Sequence, residues 1–307
     1  MALAANVCPY SPPLRIRQME ADLASLSRFW DEGPWGWSLE ARRRYIGMGL
    51  KVADLPDDGW LNRVRQLSSR AFSCRYLVRL LREFEGEQLV GHHSCFRTEY
   101  AKTAHRGLVF KSPWSSSGRG VIFAPGGLTE RIEARLRSFL HTQGGYAEDK
   151  LYEDKLVDFA LEFRVRGEGE VDFLGLSVFH TGRNGAYEGN VVAPQEALRR
   201  MIGADEALLQ RLIGYHRLHL GRLGYTGPVG VDMMLLRDGR VHPVVEINFR
   251  RSMGMLAIKL NELGLTGDAD LTPAVRQGFQ AVVRDGVLAI KYVSLQGAKA
   301  SPEGAVL

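Results

Sequence analysis

The stretch GPVGVDMMLLRDGRVHPVVEINFRRSMG, Gly227 to Gly254, decides the reading of this chain. Two apolar runs, Val229–Leu236 and Val241–Asn248, flank Asp238-Gly239, a strong local signal for a β-hairpin. Into this ribbon the sequence sets Asp232, Glu246 and Asn248, with Arg250 and Arg251 directly after. A carboxylate inside a buried strand is costly unless something pairs with it. Oxygen ligands of this kind suit Mg²⁺, which takes one or two carboxylates and shares the rest of its shell with phosphates and water. The arginines beyond offer planar forks to the same phosphates. An edge hairpin with its polar face in water is the simpler alternative.

Register decides between the two. A two-residue turn at Asp238-Gly239 pairs Arg237 with Arg240 and sends Asp232 and Glu246 to opposite faces. A three-residue loop, Asp238-Gly239-Arg240, sets Asp232 opposite Glu246 and keeps Asn248 on the same face. Pro243, which cannot donate to the ladder, marks a second place for a bulge. Convergence of the three oxygen side chains therefore requires an odd-residue loop or a bulge between Leu236 and Val244.

The rest of the chain fixes the class. Its 307 residues suffice for two or three lobes, and 45% hydrophobic with 24% charged residues is ordinary globular composition. No apolar run is long enough for a transmembrane helix, and the start MALAANVCPYSPP lacks the pattern of a signal peptide. Three cysteines, Cys8, Cys74 and Cys95, have neither metal nor redox spacing, and the cytoplasm is the expected compartment. The net charge of +5 is spread out, without the aromatic or zinc motifs of nucleic-acid binding, and fits attraction of small anions.

Helices are expected over Arg17–Trp30, over Leu39–Leu50 behind an N-cap at Ser38, and over Trp60–Glu85 with a break near Ser68-Ser69. Short strands, Leu108–Lys111 and Gly120–Phe123, then enclose the loop Ser112 to Gly120. Small residues between strands, with a lysine on the entering strand, present N–H groups and a cation to a polyphosphate, although a plain hairpin tip reads similarly. Thr129 caps a helix to His141, Gln143-Gly144-Gly145 ends it, and a strand Tyr146–Tyr152 follows. Phe159–Val165 and Val171–Phe179 read as a hairpin, His180–Gln195 as a loop, and Glu206–Leu223 as a helix carrying His216 and His219. Those histidines have the spacing of a metal pair, but partly buried or surface imidazoles are the favoured reading. Helices Met255–Leu263 and Pro273–Arg284 complete the chain, and the tail from Gly297 should fray.

In order, these pieces resemble the ATP-grasp superfamily over about residues 65–290. The resemblance is carried by Lys111 with Ser115-Ser116-Ser117-Gly118-Arg119-Gly120, the acidic strand end after Gly145, Glu162, Asp232, and Glu246-Ile247-Asn248-Phe249-Arg250. It implies an α+β ATP-grasp fold, two α+β lobes sandwiching ATP behind an abbreviated, mainly helical N-terminal lobe. The divisions so implied are an N-terminal lobe 1–104, a lid lobe 105–180, a catalytic lobe 181–296 and a tail 297–307.

The resemblance also implies an ATP- and Mg²⁺-dependent ligase that activates a carboxylate as an acyl phosphate for attack by an amine or thiol. A phosphotransferase or a non-catalytic nucleotide-binding subunit on the same scaffold are the alternatives. Lys111 would contact the nucleotide phosphates, and the loop with Ser115, Ser116, Ser117, Gly118 and Gly120 would close over them. Arg70 supplies the upstream cation. Glu148, with Lys150 and Leu151, stands at the adenine hinge, and the second EDKL repeat from Glu153 is the other candidate. Glu162 is assigned to ribose, and Asp232, Glu246 and Asn248 to Mg²⁺. Arg250 and Arg251 hold the phosphoryl group or the carboxylate, and Arg183 a distal carboxylate. The expected partners are small carboxylate and amine substrates, with no nucleic acid and no membrane, and a homodimer is compatible.

Overall fold

The computed structural model describes residues 34–100, 106–115, 120–182, 185–264, 269–270, 279–284 and 286–292. Three helices open it: α1 (Leu39–Gly47), α2 (Asp58–Leu67) and α3 (Arg70–Glu83). Each starts at a side-chain cap. Ser38 accepts from the Ala41 amide, Asp57 from Trp60 and Ser69 from Ala71. The caps explain why one apolar-periodic run becomes two helices: Ser68-Ser69 ends α2 and restarts the chain as α3, with Arg70 as its first residue. The expected helix Arg17–Trp30 lies outside the described residues.

Four strands form a small sheet: β1 (Cys95–Arg97), β2 (Leu108–Lys111), β3 (Val121–Ala124) and β4 (Tyr146–Lys150), in the order β1-β4-β2-β3. Helix α4 (Glu130–Gln143) leads into β4, and Gly144 takes the left-handed C-cap at φ 75°. Leu136 of α4 packs with Phe110, Ile122 and Tyr146 in the small lobe's own core.

The large sheet contains β5 (Lys155–Gly167), β6 (Glu170–Thr181), β7 (Tyr187–Val191), β8 (Gly227–Leu236), β9 (Val241–Asn248), β10 (Ala269–Asp270), β11 (Phe279–Arg284) and β12 (Val287–Tyr292). Its order is β10-β11-β12-β7-β6-β5-β8-β9. Helices α5 (Gln195–Ile202), α6 (Glu206–Leu220) and α7 (Met253–Glu262) complete the fold. Alternation sends Phe159, Leu161, Phe163, Val229, Val231 and Met233 into one core with α2, α3, α5 and α6. The opposite face keeps the polar side chains. No helix among the described residues is long and apolar enough to cross a membrane.

Three local expectations need correction. Residues Phe279–Arg284 are a strand, not the end of a helix, because they pair residue by residue with Val287–Tyr292 across Gly286. Val282 and Val283 suit that pleated surface, and the partner strand overrides the helical spacing. The loop His180–Gln195 contains β7, which pairs with β6, and its end begins α5. The sheets change over at residues 151–154 rather than at 180, since β5 and β6 both belong to the large sheet. His216 and His219 follow the imidazole reading: His216 is buried and stacks on Tyr76 with its Nδ1 3.0 Å from the tyrosine hydroxyl, while His219 Nε2 lies 3.5 Å from Glu83.

Candidate active site

The β8–β9 hairpin sets the site. Near its tip Leu235 pairs with Val241 and the Leu236 amide donates to the Arg240 carbonyl, so the loop is Arg237-Asp238-Gly239. It has an odd number of residues but lies one position earlier than expected, with Gly239 at φ 86°. Past Met234–His242 the next pair is Asp232–Glu246, so β9 spends two extra residues, within Pro243–Val245, opposite Met233. A shift of two preserves alternation. Asp232 therefore lies directly opposite Glu246, and Gly230 opposite Asn248, with all the oxygen side chains on one face.

Glu162 joins them from β5, where it pairs with Gly230 on one side and Gly175 on the other. It is 1% exposed and accepts from Ser177 Oγ at 3.0 Å, under the N-terminus of α7. A Cβ on Gly254 would meet Glu162 Oε1 at 2.1 Å, so the helix approaches this carboxylate only because residue 254 has no side chain. Burial pushes Glu162 up to about 7, against hydrogen bonds from Ser252 and Ser177 and the charge of Arg250. This position puts Glu162 beside the Asp232 set.

Burial also drives the Asp232 carboxyl well above the usual range, and Glu246 and Glu162 push the same way. Arg250 and a 2.9 Å hydrogen bond from Asn248 Nδ2 oppose it only partly. Clustered carboxylates that burial and mutual repulsion disfavour are what a cation would relieve. No group of three or more His, Cys, Asp or Glu side chains with metal spacing occurs among the described residues. Two carboxylates and an amide are nevertheless a sufficient protein share for Mg²⁺, and the donor set fits it.

Arg70 closes the set from the helix side. Its Nη2 donates to Glu246 Oε2 at 2.8 Å, and its Nη1 donates to the Ser112 carbonyl at 2.7 Å and Ser115 Oγ at 2.8 Å. The loop after β2 is thus fastened at its root. Trp114 Nε1 donates to the Arg65 carbonyl at 2.9 Å beneath the Arg65 guanidinium, and Ser112 bonds the Gly120 carbonyl. Gly120 has φ 75°, and a Cβ there would meet Ser112 Oγ at 2.3 Å. Ser116, Ser117 and Gly118 lie outside the described residues.

Lys111 lines a narrow void of about 20 Å³ between the sheets, with Arg70, Cys74, Asp149 and Val245. That is room for about one water, not a nucleotide. Pairing of Lys111 with Ala147 and of Val109 with Asp149 places Lys111 and Asp149 on one face of the small sheet. Asp149 Oδ2 is 3.0 Å from His242 Nε2, and both residues are buried. Burial raises the Asp149 carboxyl, but the hydrogen bond and charge of His242, with Lys111, outweigh it and the net shift is downward. This bond from the small sheet to β9 escaped sequence reading, although a histidine within the apolar run VHPVV was a signal that a partner was needed.

The adenine-hinge assignment meets occupied groups. Glu148 is tied to Arg97 by two hydrogen bonds of 2.7 and 2.8 Å, and the Leu151 amide donates to the Gly107 carbonyl at 2.7 Å. Lys150 is exposed, and Glu153 falls in the turn before β5. Arg250 sits at the end of β9, with the Trp35–Trp37 segment against it: the Arg251 amide donates to the Trp35 carbonyl at 2.8 Å. Arg183 lies outside the described residues.

No family model matches the sequence, and no curated protein matches it. Solved structures do. Pyruvate carboxylase of Rhizobium etli is similar at TM-score 0.50 and 17% identity, over 72% of this chain and 20% of that one. The chain has the ATP-grasp fold. L-amino acid ligase of Bacillus licheniformis is similar at TM-score 0.46 and 14% identity, over 88% of this chain and 66% of that one. The biotin carboxylase domain of Hydrogenobacter thermophilus 2-oxoglutarate carboxylase, solved with MgADP, ADP and bicarbonate, is similar at TM-score 0.46 and 13% identity. That match covers 64% of this chain and 45% of the other, so the chain spans under half the length of that protein.

Proposed function

We propose that this protein is an ATP- and Mg²⁺-dependent ligase that activates a carboxylate as an acyl phosphate for attack by an amine or thiol. The observation that supports this reading is the convergence of Asp232, Glu246 and Asn248 on one sheet face, with Glu162 beside them and Arg70 at Glu246. A bare nucleotide-binding module has no need of such a disfavoured carboxylate cluster.

In this reading Asp232, Glu246 and Asn248 hold Mg²⁺, which supplies charge neutralisation at the phosphates. Lys111 and Arg70 bind the phosphate oxygens, Lys111 from β2 and Arg70 from the start of α3. Glu162 supports the Asp232 set instead of reaching ribose. Around the adenine, Lys150 and the backbone of Glu148–Leu151 remain the contact surface. Arg250 and Arg251 orient the carboxylate. One carboxylate oxygen attacks the γ-phosphorus in line and ADP leaves. The amine then attacks the acyl carbon, the C–O bond to phosphate breaks, and the amine proton passes to solvent. The loop after Lys111 excludes water while the acyl phosphate exists.

ADP release against a panel of amino acids and short acids, with hydroxylamine present, tests this reading. Hydroxamate that depends on ATP, Mg²⁺ and one acid is the expected result. ADP release with a stable phosphate ester and no hydroxamate would replace ligation by phosphotransfer, and no release with any substrate would remove the reading.

A further inference from the structure

Trp35-Gly36-Trp37 precedes α1, far ahead in sequence of the strands that carry the carboxylates, yet it lies as a strap against the end of β9. The Arg251 amide donates to the Trp35 carbonyl at 2.8 Å. At Gly36 the two segments touch: a Cβ there would meet Arg250 Cβ at 2.9 Å, Cδ at 3.7 Å and Cγ at 3.9 Å. Gly36 is not one of the left-handed glycines, so its backbone suits any residue. The nearest atoms that a side chain would meet all belong to Arg250. Because the closest of them is the arginine Cβ, turning the guanidinium aside cannot relieve the contact, and strap or strand end would have to move. Trp37 steadies the other end of the strap by leaning on Tyr45 of α1 at 5.3 Å.

The residue under the strap belongs to the carboxylate cluster. Arg250 follows Asn248 by two positions, and Asn248 Nδ2 donates to Asp232 Oδ2 at 2.9 Å. Burial raises the carboxyls of Glu162 and Asp232, and the charge of Arg250 opposes that rise at both, so its guanidinium lies near enough to act on each. Arg250 is half-buried, and its Nη1 donates to the Arg251 carbonyl at 3.1 Å. The strap holds the amide of that same Arg251, so side chain and strap are fastened to one point of the chain.

We propose that Gly36 is a positioning residue: having no side chain, it lets the strap press Arg250 against the Asp232–Glu162 carboxylates, where the guanidinium is a counter-charge that a divalent cation has to share. The inference rests on the assignment of Mg²⁺ to Asp232, Glu246 and Asn248 made above. A positive charge held beside those ligands disfavours a second one, and moving it away relieves the repulsion. The strap, from outside the strands that form the site, thereby sets the metal affinity through one arginine.

Titration of the full chain with Mn²⁺, without nucleotide and read by electron paramagnetic resonance, tests the inference. Arg250→Gln should tighten Mn²⁺ about tenfold, and Gly36→Ala about threefold, since the methyl shifts the charge without removing it. In the Arg250→Gln background Gly36→Ala should add nothing, because the strap acts through the arginine. Trp37→Leu frees the strap from Tyr45 without adding an atom at Arg250 and should also tighten Mn²⁺ about threefold. It carries the test if thermal unfolding shows that Gly36→Ala does not fold. General damage to the site would weaken Mn²⁺ instead. No tightening in Arg250→Gln or in the folded strap variants, or a strap effect that persists without Arg250, overturns the inference and leaves the metal assignment standing. No Mn²⁺ binding by the unaltered protein overturns both. The titration needs no turnover, so ADP release decides the ligase reading separately.

Discussion

Arg70 and Glu246, 176 positions apart, meet through a 2.8 Å ion pair that joins the start of α3 to the carboxylate face of β9. The same guanidinium holds Ser115, so the root of the loop after β2 and a proposed metal ligand share one cation. Cation and arginine cannot both use the same carboxylate oxygen. Arg70→Gln should therefore tighten binding of Mn²⁺, measured without nucleotide, by about tenfold, the scale of one charge-assisted hydrogen bond. Weaker or unchanged Mn²⁺ binding would show that Glu246 is not contested.

Lys111 ends β2 directly before the loop and shares its face of the small sheet with Asp149. Lys111→Met should weaken ATP binding about tenfold or more, since one charge-assisted contact is worth about 1.4 kcal/mol or above. An unchanged calorimetric affinity would end its assignment to phosphate.

Gly254 lets α7 sit directly on Glu162 and Ser177. In Gly254→Ala the new methyl would lie 2.1 Å from Glu162 Oε1 and 2.2 Å from Ser177 Oγ. Overpacking of this kind costs about 2 kcal/mol. A denaturation midpoint equal to that of the unaltered protein would mean that the helix can slide away freely.

His216 is wholly buried among Tyr76, Tyr215 and Phe163, and burial, with His219 adding, lowers it to about 3. A depressed histidine favours the neutral form in the folded state. Its contribution is complete above the ordinary value near 6.5 and is lost as the pH falls toward 3. Stability should fall by about 1.4 kcal/mol per pH unit from this group once the unfolded histidine is protonated. His216→Gln keeps a partner for the Tyr76 hydroxyl and removes the proton. Urea unfolding between pH 6.5 and 5 should show a shallower slope in the variant, and equal slopes would contradict the assignment.

The hairpin and its face were legible because Asp232, Glu246 and Asn248 break an alternating apolar pattern that allows few registers. The α2–α3 break was legible from two serines. What escaped notice depended on partners far away in sequence. Phe279–Arg284 has helical spacing, and only its pairing with Val287–Tyr292 makes it a strand. Asp149 and His242 meet across 93 positions, and no local rule predicts which carboxylate a buried histidine will find. The same holds for Glu148, whose carboxylate pairs with Arg97 from 51 positions away. Local chemistry marks which side chains need a partner, and topology chooses it.

The offset of two residues across Pro243–Val245 gives the hairpin a counting rule. Between Leu236 and Glu246 the chain can grow or shrink only by even numbers. Every odd change would turn Ile247 toward the carboxylates and Glu246 into the apolar core. Natural variation in this tip should therefore come in pairs of residues, and a tip of four residues in place of three would disable the site without altering any residue in it.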